Sequence, residues 1–279
     1  MLGLILFGRL VVLVSSGLFT KWSIELFTRK ISLGEGIYVA VLSSVANFLG
    51  PVLGGAGLRG VYLKQKHGLT YSQFASTLMG YYIILFIFNS IVSLIALAFV
   101  PASSQTRLLM VFFSIWLVLM LVLAIVRLPR RIGNRNYKSR IINYVIKVIQ
   151  DVEKGWRRIL GDRKLMVRLM LVALLSYSGS LIMISAEFLA LGIQFSVPTL
   201  LLYTSFITAT ILVSFTPGAL GIREALLLIT QATLAITLMD VISLSLLDRV
   251  VNFSILFIMF LIVRNGKAKE FLLKGTTQD

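Results

Sequence analysis

The sequence predicts an all-α polytopic integral membrane protein with about eight hydrophobic segments, arranged as two inverted repeats that contain broken or re-entrant helices. Three observations carry this expectation. Apolar types make up 58% of the 279 residues and charged types 14%, where an ordinary soluble domain has roughly a quarter charged. The apolar residues fall in runs of about seventeen or more, each long enough at 1.5 Å per residue to cross a hydrocarbon core of about 30 Å. Two of those runs break at matching Pro/Gly stretches that end in Gly-x-Arg. The composition also closes several chemistries. There is no cysteine and only one histidine, His67, so a disulfide framework, a thiolate metal site, a Cys nucleophile and a His-based metal centre are all excluded or disfavoured.

In chain order the apolar runs are residues 2–19, 37–53, 74–100, 108–126, 169–191, 197–215, 222–238 and 243–263. No basic region precedes the first run and no small-residue cleavage site follows it, so it does not read as a signal peptide. The net charge is +16, and residues 127–168 hold 13 of the 27 basic residues with only Asp151, Glu153 and Asp162 as acids. By the positive-inside rule that segment is cytoplasmic. Residues 101–107 are then external, the Arg59, Lys64, Lys66 loop internal, and the tail with Lys267, Lys269 and Lys274 cytoplasmic. The second run has basic residues on both flanks. A re-entrant segment resolves this, and one mildly basic external loop is the alternative. The expected organisation is a membrane repeat over 1–126, a basic amphipathic segment over 127–168, a second repeat over 169–263 and a cytoplasmic tail over 264–279.

Within the basic segment Ile141, Val145, Ile149, Val152, Trp156 and Ile159 recur at helical spacing, with most of the basic residues elsewhere on the wheel. An interfacial helix that attracts anionic lipid fits this pattern; a positive-inside loop packed on helix ends fits it as well. Topology explains the charge excess, so nucleic-acid binding is not expected.

The two breaks are Pro51-Val52-Leu53-Gly54-Gly55-Ala56-Gly57-Leu58-Arg59 and Pro217-Gly218-Ala219-Leu220-Gly221-Ile222-Arg223-Glu224. Each follows a helix rich in hydroxyls or amides, with Ser43, Ser44 and Asn47 in the first case and Ser205, Thr208, Thr210, Ser214 and Thr216 in the second. Backbone can break at membrane depth only where it is buried in protein or lines a wet cavity, and paired breaks in two halves point to a transporter's binding site. An Arg in the first turn after a break suits a phosphate. Alternatively the Gly and Pro mark tight turns, and Arg59 and Arg223 snorkel or pair with a carboxylate such as Glu224. Between the two, Arg223 is the stronger ligand candidate, because Arg59 lies beside a basic loop.

Glu187 is a further candidate, either as partner of a buried Arg and carrier of a coupling proton, or as an interfacial residue. Asp248-Arg249 reads as a local interfacial pair, Arg9 as a snorkelling side chain, and Tyr81, Tyr82 and Trp116 as packing or interface anchors. No G-x-x-x-x-G-K-[ST] sequence is present to support ATP hydrolysis.

The P-G-x-x-G-x-R-E stretch at Pro217 to Glu224, Asn47-Phe48-Leu49-Gly50-Pro51 with Gly57-x-Arg59, and the Lys21-Trp22 pair together resemble the lysylphosphatidylglycerol synthase transmembrane-region family. The resemblance covers nearly the whole chain. It implies a multi-pass protein of a prokaryotic cytoplasmic membrane that moves a phospholipid or polyprenyl-linked lipid between leaflets, a transporter and not an enzyme, without cofactor. By motif match Arg223, Glu224, Gly221 and Pro217 carry over as lipid-binding candidates, with Arg59 and Asn47 on the other half. Only 16 residues follow Val263, so the expectation is that this chain does not itself make a lysyl-lipid. The chain also begins close to the family's first Lys-Trp pair, which reads as a shortened N-terminus or a missing leading span. A membrane-embedded glycolipid transferase, or the accessory subunit of a lipid-modifying enzyme, is the alternative function.

Overall fold

The computed structural model describes residues 1–27, 30–49, 54–125, 140–210, 221–234 and 236–266. These hold ten helices: α1 (Leu2–Glu25), α2 (Leu33–Leu49), α3 (Gly54–His67), α4 (Tyr71–Leu97), α5 (Ser104–Ile125), α6 (Arg140–Gly161), α7 (Arg163–Ala190), α8 (Val197–Thr210), α9 (Ile222–Leu234) and α10 (Leu238–Gly266). Five of them, α1, α4, α5, α7 and α10, are long and apolar enough to cross a membrane. The other three apolar runs fall on α2, α8 and α9, whose described lengths are 17, 14 and 13 residues. The protein is therefore an all-α polytopic membrane protein with five candidate spans among its described residues.

Local chemistry fixes several helix starts. Thr70 and Gln73 form a reciprocal capping box that opens α4. The Asp162 side chain accepts from the Leu165 N–H at 3.0 Å and opens α7. Gly221 holds φ +80° just before α9, a left-handed conformation that glycine adopts without steric cost.

The centre of the bundle is the α1–α7 contact. A Cβ on Gly8 would lie 2.6 Å from the Gly179 carbonyl oxygen, and one on Gly179 would lie 2.9 Å from the Gly8 oxygen. Small residues let two backbones approach in this way inside lipid. Around this axis α4 packs on α8 and α7, while α10 packs on α2 and α1. Interhelical hydrogen bonds tighten the first group: Asn89 Nδ2 donates to the Ser205 carbonyl at 3.2 Å, and Tyr177 Oη donates to the Leu201 carbonyl at 3.1 Å.

Two elements lie outside this core. Only Thr106, Phe113 and Met120 of α5 are buried, so most of its apolar surface faces outward, as a lipid-facing span requires. The C-terminal half of α6 is docked on the bundle. Trp156 and Ile159 are buried among α4 and α7 residues, and Trp156 Nε1 donates to the Ala124 carbonyl at 3.1 Å. That part of the amphipathic stripe is packed on protein, while Ile149 further along the helix is exposed. The side chains of Ile141, Val145 and Lys147 lie outside the described set.

Candidate functional site

A cavity of about 420 Å³ opens between the spanning helices and the short ones. Among the described residues four arginines contribute to its wall, Arg9 from α1, Arg59 from α3, Arg223 from α9 and Arg249 from α10, against one lining carboxylate, Asp248. Hydroxyls line part of the remaining surface, including Ser15, Ser16, Ser44, Ser176, Ser180 and Thr208, beside apolar side chains such as Val12, Leu85 and Ile207. A cationic, hydroxyl-lined hollow among apolar helices suits an anionic group with hydrogen-bond acceptors.

The α9–α10 side of the cavity is internally neutralised. Arg223 pairs with Asp248, and Arg249 Nη2 stands 2.6 Å from Glu224 Oε1. Consecutive residues of opposite sign on α9 thus meet consecutive residues of opposite sign on α10, and the two ion pairs lock the helices together. Glu224 does more than pair. Its Oε2 accepts from the Gly221 N–H at 2.8 Å and its Oε1 accepts from the Ser245 hydroxyl. Glu224 therefore caps the start of α9 with its own carboxylate, as the third residue of a capping box does.

The α2–α3 side has a different balance. Arg59 Nη2 donates to Ser16 Oγ at 2.9 Å and Nε donates to Ser43 Oγ at 3.3 Å. Ser43 spends its own proton on the Val39 carbonyl, so its lone pairs face the guanidinium. The Phe19 ring lies 5.6 Å away as a cation–π partner. No carboxylate among the described residues pairs with Arg59. Asn47 Oδ1 accepts from the Gly55 N–H at 2.7 Å, so it caps α3 with a neutral amide while lining the cavity.

At the far end of this helical hairpin, Glu35 Oε1 gathers three donors from α3: Tyr62 Oη at 3.0 Å, His67 Nε2 at 2.7 Å and Lys66 Nζ at 3.3 Å. Burial pushes the Glu35 carboxyl up, but the hydrogen bonds from His67 and Tyr62 and the Lys66 charge outweigh it and hold the group below its ordinary value.

Several expected roles change. Arg9 does not snorkel: it lines the cavity with a buried Nε that makes no hydrogen bond. The reason is its neighbour, since the Gly8–Gly179 contact turns that face of α1 inward. Asp248 and Arg249 are not a local pair, because each is claimed by α9. Glu224 pairs with Arg249 and not with Arg223. Glu187 is wholly buried behind the cavity wall and does not line it. Arg59, Arg223 and Asn47 do converge on the cavity, Gly221 and Glu224 frame the start of α9, and Pro217 lies outside the described residues.

Residues 1–259 match the family described as Lysylphosphatidylglycerol synthase TM region. The chain belongs to that family. No curated protein and no solved structure matches it. For this family member a second hollow is also notable. It measures about 410 Å³ and lies on the other side of α4 and α7, lined by apolar residues such as Ile84, Phe88, Ile91, Met170 and Leu174. The two hollows share the α4–α7 pair as a wall, one polar and one apolar.

Proposed function

We propose that the chain moves a phospholipid or lipid-linked headgroup between leaflets, with the lipid phosphate held by Arg59 and Arg9 in the polar cavity. One observation carries this reading: two guanidinium groups inside a membrane bundle have no carboxylate partner among the described residues. An uncompensated charge away from water costs several kcal/mol. An anionic headgroup supplies the missing counter-charge, and Ser16, which accepts from Arg59 and keeps its own proton, supplies a further donor. The apolar hollow across the α4–α7 pair takes the acyl chains. Family membership supports a lipid substrate.

The helix order supports an inverted repeat. A long helix, two short ones and a long one occur as α1–α4 and again as α7–α10. The contacts are reciprocal, since α4 meets α8 and α7 while α10 meets α2 and α1. In this reading α2–α3 and α8–α9 are re-entrant pairs entering from opposite sides, and rocking of one unit against the other exposes the cavity to each leaflet in turn. The basic segment and the tail face the cytoplasm of a prokaryotic cell, by the charge bias of residues 127–168.

The test is reconstitution. Purified protein in liposomes, with neither sugar donor nor ATP, should carry headgroup-labelled phospholipid to the outer leaflet faster than protein-free vesicles, read by an impermeant quencher. If anionic, zwitterionic and polyprenyl-phosphate lipids all stay at the protein-free rate, the transport reading fails.

A further inference from the structure

Glu187 on α7 is 0% exposed, and neither of its carboxyl oxygens makes a hydrogen bond. It lies within electrostatic reach of Asp248 and Arg223. Arg223 in turn is committed to Asp248 through Nη1, while its Nε and Nη2 make no hydrogen bond. Tyr203 on α8 completes the cluster with a buried hydroxyl beside Arg223. Across the cavity wall Arg9 on α1 feels the Asp248 charge without pairing to it. The Glu224–Arg249 pair stands next along α9 and α10 and is already neutral.

The immediate cluster holds two carboxyl groups and one guanidinium. With both carboxyls ionised it carries a net negative charge at the buried edge of the cavity, and Glu187, behind the wall, is a carboxylate without a single donor, a state the protein interior resists strongly. One proton removes both problems. Two neighbouring carboxyls that share an apolar site are the recurrent arrangement for holding a single proton between them, and intramembrane carboxyls of this kind form the proton relays of pumps and transporters.

We propose that Glu187 and Asp248 form a proton-binding pair that couples proton movement to lipid movement, which rests on the transport reading above. With the proton on Glu187 the cluster is neutral and Arg223 pins α9 to α10 through Asp248. On release the Glu187 O–H bond breaks, the electron pair stays on the carboxylate oxygen, and the proton leaves by Asp248, which lines the cavity, to water there. Glu187 then competes for Arg223 through the two unbonded nitrogens, and Asp248 is freed toward Arg9. Proton release thereby loosens the α9–α10 lock and rearranges the charges facing the headgroup.

Two measurements decide this separately from the transport reading. In infrared titration of the purified protein, the C=O stretch of a protonated carboxyl should be present at neutral pH and absent from E187Q; if E187Q does not fold, E187D should move the band. A spectrum unchanged by either variant overturns the proton site, whether or not lipid moves. In liposomes, an imposed pH gradient should drive lipid to a steady-state asymmetry of about tenfold per pH unit for each coupled proton, with a matching pH change inside the vesicle. E187Q should lose this response to the gradient, whatever its rate without one. Wild-type lipid movement indifferent to the gradient overturns the coupling and leaves the transport reading standing.

Discussion

The two Gly-x-Arg breaks carry the same short motif in opposite electrical settings. At α3, Arg59 rests on two serine hydroxyls and a phenylalanine ring, and the helix start is capped by the neutral amide of Asn47. At α9, Arg223 is bound to Asp248 and the helix start is capped by the Glu224 carboxylate. The first break is an unanswered positive charge; the second is a closed ionic lock. The comparison teaches that an arginine near the start of such a helix gains its role from what neutralises it. Under the inverted repeat proposed above the work is divided in this way, one copy binding the ligand and the other holding helices.

The largest expected effect comes from opening the lock. Arg223→Ala leaves the Asp248 carboxylate buried without its partner, and breaking a buried pair from one side costs about 3–5 kcal/mol. The melting temperature in detergent should fall markedly, and the double change Arg223→Met with Asp248→Leu should recover most of it. A single variant as stable as wild type would reduce the pair to an incidental contact.

A middle-sized effect is expected where α1 and α7 touch. Gly8→Ala places a methyl against the Gly179 carbonyl, and forcing such a contact costs about 1–3 kcal/mol. Because the backbone itself is the obstacle, Gly3→Ala, whose new methyl meets nothing within 4 Å, serves as the matched control. Equal melting temperatures for the two variants would remove the α1–α7 axis from the account.

The smallest effect concerns the mouth of the α2–α3 hairpin. Glu35→Gln should cost less than about 1 kcal/mol, the range of partly exposed ion pairs. Since the folded state holds the Glu35 carboxyl below its ordinary value, its contribution is present above the unfolded value near 4.3 and is lost as pH falls through the folded one. Hydrogen exchange along α3 should therefore be faster in Glu35→Gln than in wild type at neutral pH, and the difference should shrink on acidification. A difference that grows toward low pH would contradict the sign.

Much of this arrangement is legible in the sequence, and the parts that are not share a cause. Run length marks the five candidate spans, while Pro51 and Pro217 lie outside the described residues. Five of the eight runs carry helices long enough to span among the described residues, and the runs at 37–53, 197–215 and 222–238 each include residues outside the described set. Arg9 reads as snorkelling because α1 is apolar on all sides, so nothing in its pattern marks which face the bundle buries, and only the Gly8–Gly179 approach decides it. Asp248 and Arg249 read as local because they are adjacent, whereas helical geometry sends adjacent side chains in different directions and both reach α9. Which of two identical motifs is neutralised depends on a residue from another helix, 25 positions away for Arg223, and no local reading contains it.

The division between the two breaks is tested most directly by the initial rate of phospholipid movement in liposomes for Arg59→Ala, set beside its melting temperature. Loss of a charge-assisted contact to a desolvated phosphate is worth about 1.5–3 kcal/mol, roughly 10- to 150-fold. The rate should fall by that factor while the melting temperature stays near wild type, and Arg59→Lys should recover part of it, since an ammonium keeps the charge without the two-pronged grip. A wild-type rate in Arg59→Ala, or a loss of rate that follows a loss of stability, would contradict the assignment of the headgroup to the α3 side of the cavity.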